Sequence, residues 1–127
     1  MQYKMSDDAY RKLICSLNKH QYEFFTHIMH MASTKADQVT CCLHGSAGTG
    51  KSHVLKALYQ GLYRTVCMEA GQNRDNCRIL VMAPTGKAAY NIKGSTIHAA
   101  VHIPANTPLH QYKPLSYDML NTYRMKY

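Results

Sequence analysis

Long apolar runs are missing from this 127-residue chain, and acid is scarce in it. The first twenty residues carry Lys4, Asp7, Asp8, Arg11 and Lys12 with no continuous apolar block, which excludes a secretory leader and a membrane span there and leads us to expect an intracellular protein. Cysteine is present but unorganised. Cys15, Cys41, Cys42, Cys67 and Cys77 are odd in number and have no Cys-x-x-Cys spacing, so free thiols in a reducing compartment are expected rather than a disulfide framework. Cys41, Cys42 and His44 are close in sequence, but adjacent strand side chains face opposite sides and do not simply converge on a metal. His27 and His30, at helical spacing, read as surface or packing residues. There is no repeat, low-complexity tract or linker, so one folding unit or part of one is expected. Charged residues make up 17% of the chain where about a quarter is usual, so some apolar surface is expected to meet a partner domain. Seven Asp and Glu face fifteen Lys and Arg, and the resulting +8 suits a polyanion such as nucleic acid.

What is present begins with Gly45-Ser46-Ala47-Gly48-Thr49-Gly50-Lys51-Ser52, which satisfies G-x-x-x-x-G-K-[ST] at every fixed position. It follows the apolar stretch Val39-Thr40-Cys41-Cys42-Leu43 and precedes a helical pattern, the context in which this motif cradles nucleoside-triphosphate phosphates. Glycines admit turns closed to other residues, so successive N–H groups converge on phosphate oxygens, and the positive end of the next helix adds its dipole. Lys51 is placed to reach the β- and γ-phosphates of ATP and Ser52 to hold Mg²⁺. A glycine-rich turn of purely structural use leaves the Lys-Ser pair unexplained.

Around the loop the pattern alternates between strand and helix. Ser6 with Asp7 and Asp8 marks one helix start, and Asn18 starts a second whose apolar stripe is Tyr22, Phe25 and Met29. Val39–Leu43 reads as a strand, and Lys51 to about Tyr63 as a helix burying Val54, Leu55, Leu58 and Leu62, with Gly61 tolerated near its end. A polar connection over 69–76 leads to an expected strand Arg78–Met82, ended by Pro84. That strand-helix-strand crossover is expected to be right-handed and parallel, setting Thr85 on the same sheet edge as the phosphate loop. Thr85 to Ile92 reads as a short helix broken by Gly94, and Ser95 or Thr96 caps another to about His102. Pro104, Pro108 and Pro114 impose a loop, and Ser116 caps a last helix carrying Tyr117, Leu120 and Tyr123.

Hydrolysis needs carboxylates for Mg²⁺ and for the attacking water, usually at the end of an apolar strand. After Asp75 the one acid is Asp118, in Leu115-Ser116-Tyr117-Asp118-Met119, with no apolar strand before it and no second acid after it. We therefore expect this stretch to bind nucleotide weakly at most and not to turn it over.

The segment from Ala83 to His98 contains Ala-Pro-Thr-Gly-Lys-Ala-Ala, then Asn91-Ile92-Lys93-Gly94-Ser95-Thr96-Ile97-His98, and Ile103-Pro104 follows. Together with the phosphate loop and the upstream Leu17-Asn18-x-x-Gln21, it resembles the petite-integration-frequency (PIF-type) DNA helicases and their Helitron-transposon relatives, in the RecD-like branch of superfamily one. The resemblance covers most of the chain in the right order. It implies an α/β fold, a partial P-loop NTPase (RecA-like) domain of parallel strands with flanking helices and an incomplete sheet. Residues 1–127 would be the amino-terminal part of the first such domain: 1–35 a helical lead with the adenine contact, 36–103 the phosphate loop with motifs Ia and Ib, and 104–127 a loop and terminal helix.

By the same resemblance Gln21 with Asn18 would read adenine, Gly45, Ser46, Ala47, Gly48, Thr49, Gly50, Lys51 and Ser52 would hold ATP, and Ser52 would hold Mg²⁺. Thr85, Gly86, Lys87, Asn91, Thr96 and His98 would lie along single-stranded DNA. Plainer roles stand beside these: Asn18-x-x-Gln21 is also a capping box, Thr96 an N-cap, Lys87 and Lys93 solvated charges, and His98 a packing residue. The chain departs from the family in having His20 before the Gln, where an acid is usual, and Ala99 after Ile-His, where Ser is frequent. The implied activity is ATP-dependent 5'-to-3' unwinding in DNA repair, recombination and telomere maintenance, in the nucleus or mitochondrion, with a second RecA-like domain as partner. The alternatives are a P-loop nucleotide-binding protein indifferent to DNA and a catalytically dead mobile-element remnant.

Overall fold

Ser6 opens the first helix by accepting the Ala9 N–H on its hydroxyl (3.3 Å), and Asp7 and Asp8 in the first turn oppose the positive end of the helix dipole. This helix, α1, spans Asp7–Cys15 in a computed structural model that describes residues 4–34, 38–66, 79–103, 114 and 116–126. The chain divides into two units, Met1–Ala70 and Gly71–Tyr127.

In the first unit α2 spans Lys19–Thr34 and α3 spans Lys51–Val66. Asn18 and Gln21 start α2 with a reciprocal capping box, the Gln21 N–H donating to Asn18 Oδ1 (2.9 Å) and the Asn18 N–H to Gln21 Oε1 (3.0 Å). Leu13 of α1, Phe25 and Ile28 of α2, and Val54, Ala57 and Leu58 of α3 form the buried core, with Tyr10, Leu17, Phe24 and Met29 packed around it. Each large member contributes about 1.5–3 kcal/mol by leaving water. The inward face of α3 differs from the expected stripe. Leu55 and Leu62 are half-buried, while Ala57, Gln60 and Gly61 are buried. The reason is close approach: a Cβ on Gly61 would stand 3.0 Å from Met29 Sδ and 3.1 Å from both Phe25 Cε2 and the Tyr10 hydroxyl, so Gly61 is a packing residue. On α2 the stripe is rotated likewise, with Tyr22 about half exposed and Ile28 buried.

Gln60 and Arg64 of α3 fasten the segment that leads into α1. Met5 N–H donates to Gln60 Oε1 (3.0 Å), and Arg64 donates to Met5 O and to Asp7 Oδ1, both at 2.5 Å, with its guanidinium 4.5 Å above the Tyr10 ring.

The expected strand Val39–Leu43 is absent: residues 38–46 carry no regular secondary structure. A strand exists through its ladder, and among the described residues nothing pairs with this run. In the second unit the expected strand Arg78–Met82 is reduced to β1, Met82–Ala83; Arg78 itself lies outside the described residues, as do the connection 69–76, Pro104 and Pro108. Next come α4, Gly86–Asn91, β2, Ser95–Thr96, and α5, Ile97–Ala100, while α6 spans Tyr117–Lys126 after the Ser116 cap. β1 and β2 pair in parallel, Met82 with Ser95 and Ala83 with Thr96, so the described residues form a mostly helical chain with one short parallel pair in place of the expected crossover. Among the described residues of this unit the buried ones are all alanines, Ala83, Ala89 and Ala100, which lets the short elements lie close. Gly94 serves the same approach, because a Cβ there would collide with Val81 O, the acceptor of the Ser95 N–H (3.0 Å). No described helix is long and apolar enough to cross a membrane.

Candidate functional site

The loop 45–52 enters α3 through two left-handed glycines, Gly48 at φ +77° and Gly50 at φ +79°. Gly50 O accepts the N–H of His53 (3.1 Å) and of Val54 (3.2 Å), so the helix ladder starts on the loop's last glycine. Thr49 Oγ1 donates to Ser46 O (2.8 Å), which tightens the turn. The Lys51 ammonium folds back over the loop, donating to Ser46 O and to Thr49 Oγ1 (3.3 Å). Ser52 is exposed on the first turn of α3, with a hard hydroxyl oxygen of the kind Mg²⁺ accepts.

Gln21 meets this loop. A Cβ on Gly50 would stand 2.5 Å from Gln21 Nε2, so the α2 start and the loop share one corner of the first unit. The capping box and the proposed adenine reader are the same two side chains. One lone pair of Gln21 Oε1 is used by the Asn18 N–H; a carbonyl oxygen has a second, and the Nε2 donors face the loop. His20 lies 3.8 Å from Glu23 on the exposed side.

In the second unit Thr85 and Thr96 are N-caps, accepting the N–H of Ala88 (3.3 Å) and of Ala99 (3.2 Å). The two turns repeat one pattern, Thr85-Gly86-Lys87-Ala88-Ala89 and Thr96-Ile97-His98-Ala99-Ala100. Because β1 and β2 are parallel and each leads into its helix, both starts lie at the carboxyl end of the pair, with Gly86, Lys87 and His98 exposed there. Asn91 is exposed at the other end of α4, so the structure gathers Thr85, Gly86, Lys87, Thr96 and His98 but not Asn91. Ala99 contributes its N–H to the cap whatever its side chain, so the missing Ser hydroxyl leaves that turn intact. Asp118 sits in the first turn of α6, a helical rather than a strand-end position.

Sequence reasoning missed two residues beside these sites. Ser16 Oγ and His53 Nε2 are 2.7 Å apart, joining the end of α1 to the first turn of α3, and only the position of His53 directly after Ser52 hinted at it. It also missed the left-handed backbone at Lys93 and His102, both at φ +53°. No turn residue marks them, since glycine is the usual occupant of such positions.

The family model for PIF1-like helicase matches residues 16–115, a span that includes the capping box, the glycine-rich loop 45–52 and both threonine-capped turns. Neither the curated proteins nor the solved structures give a match.

Proposed function

Since this chain belongs to the PIF1-like helicase family, we propose that it forms the ATP-binding and part of the DNA-binding surface of an ATP-dependent 5'-to-3' DNA helicase. The observation that carries this reading is the loop itself: paired left-handed glycines, a lysine ammonium turned over the turn they make, and the Gln21 amide against Gly50. Lys51 would exchange Ser46 O and Thr49 Oγ1 for β- and γ-phosphate oxygens, while backbone N–H groups from Gly45 to Ser52 take the rest. Ser52 would hold Mg²⁺ through its hydroxyl, and the ion would supply positive charge against the phosphates. Gln21, oriented by Asn18, would read the adenine edge with one donor and its remaining lone pair.

Thr85, Gly86, Lys87, Thr96 and His98, with Asn91 farther along, would follow a single strand through hydroxyl, backbone and charged contacts to phosphates. Turnover is a separate matter. The 127 residues contain no Asp-Glu pair, and Asp7 is already committed to Arg64, so this chain is expected to bind ATP only weakly and not to hydrolyse it. Unwinding would take those carboxylates and a second RecA-like domain closing over the nucleotide. Roles in DNA repair, recombination and telomere maintenance, in the nucleus or mitochondrion, are what we infer for such an enzyme.

Titration of the chain with a fluorescent ATP analogue and Mg²⁺ tests the reading. Binding that collapses in Lys51→Ala is expected, and equal binding by that variant overturns it. Single-stranded DNA that fails to bind at low salt favours a nucleotide-binding protein of another kind.

A further inference from the structure

Ser16 and His53 lie outside the loop motif, yet both brace the elements that carry it. Ser16 Oγ donates its one proton to Leu13 O (2.6 Å), so at 2.7 Å from His53 Nε2 it accepts, and His53 donates through its Nε2–H. His53 follows Ser52 in the first turn of α3, and its N–H closes that turn on Gly50 O (3.1 Å). From Ser16 the chain runs through Leu17 into the Asn18–Gln21 capping box, and Gln21 Nε2 returns to Gly50. The corner between α1 and α2 therefore touches the turn 50–53 at two points, Gln21 on Gly50 and Ser16 on His53. A turn built on left-handed glycines has little stiffness of its own, and a two-point brace supplies it.

We infer that His53 is a positioning residue for nucleotide recognition: its hydrogen bond to Ser16 sets the spacing between Gln21, which meets the base, and Lys51 and Ser52, which meet the phosphates. The inference rests on the ATP-binding reading above. Breaking the bond lets the base reader and the phosphate grip move independently, so both affinity and base preference fall. His53→Ala is expected to weaken Mg-ATP binding about three- to tenfold, the value of one ordinary hydrogen bond, and to narrow the preference for ATP over GTP. Ser16→Ala should match it, and the double variant should be no worse than either single one. His53→Gln places an amide donor at similar reach and should restore both properties; His53→Asn is too short and should not.

The experiment titrates fluorescent ATP and GTP analogues into the 127-residue chain and its variants, with thermal melting recorded for each. No nucleotide binding by the unaltered chain, or undiminished binding by Lys51→Ala, overturns the ATP-binding reading and this inference with it. Binding lost in Lys51→Ala but unchanged in affinity and base preference in His53→Ala overturns the inference alone. So does a lowered melting temperature with base preference intact, or losses that add in the double variant.

Discussion

Lys93 and His102 each occupy a backbone position that favours glycine, and each closes the helix before it. At the end of α4 the Lys93 N–H donates to Tyr90 O (3.1 Å) and the Gly94 N–H to Ala89 O (2.9 Å); at the end of α5 the Ile103 N–H donates to His98 O (2.9 Å). These are Schellman closures, which satisfy the last carbonyls but cost a side-chain-bearing residue about 1 kcal/mol. Lys93→Gly is expected to raise stability by about 0.5–1 kcal/mol, read as a higher urea midpoint at unchanged slope. Gly94→Ala acts the other way. Its Cβ would strike Val81 O, part the β1–β2 pair and lower stability by about 2 kcal/mol or more, measurable in the same unfolding curve. Gly50→Ala combines a φ of +79° with the Gln21 amide in its path, so nucleotide titration should show binding lost even where the circular dichroism of the helices is retained.

At the scale of elements, α1 is held to α3 by the Arg64 cluster as well as by Leu13. The Arg64 guanidinium, hydrogen-bonded to Asp7 and attracting its charge, holds that carboxyl below the ordinary carboxylate range. A depressed folded-state value means the contribution is whole above the unfolded-state value near 3.8 and is lost as pH falls through the folded value. Asp7→Asn should therefore lower stability at neutral pH slightly and flatten the acid limb below about pH 4, where both proteins converge. Arg64→Ala removes the Met5 and Asp7 bonds and the Tyr10 ring contact together, and should lower stability by about 1–3 kcal/mol in chemical unfolding. Helix starts were the most legible elements: Ser6, Asn18 and Ser116 precede the helices they were read to open, the helix read from Thr85 starts one residue later with Thr85 as its cap, and of Ser95 and Thr96 it is Thr96 that caps the next. Caps are local, made between residues three apart, and a local rule needs no tertiary knowledge. Strands were the least legible. Val39–Leu43 has the right composition but no ladder among the described residues, while Ser95–Thr96 has no strand signature and pairs because Gly94 admits Val81 O.

For the whole molecule the net charge of +8 is the property that acts at a distance. Binding of single-stranded DNA is expected to weaken steeply with salt, the logarithmic slope being about −0.7 for each phosphate neutralised. Lys87→Ala should lower affinity for every sequence alike and reduce that slope by about one contact, whereas an effect confined to particular bases would remove Lys87 from the phosphate track. The sign of this field depends on composition alone.

By itself the sequence determined the glycine-rich motif at 45–52, the family, most of the helix starts and the basic character, because each is carried by residues near one another in the chain or by a simple sum over it. Tertiary structure alone decided that Gln21 rests on Gly50, that Ser16 receives His53, that Arg64 gathers Met5, Asp7 and Tyr10, and that Gly61 and Gly94 are places of close approach. Those relations join residues more than ten positions apart, and a hydrogen bond or a contact between such residues exists only once packing has fixed the distance between the elements that bear them.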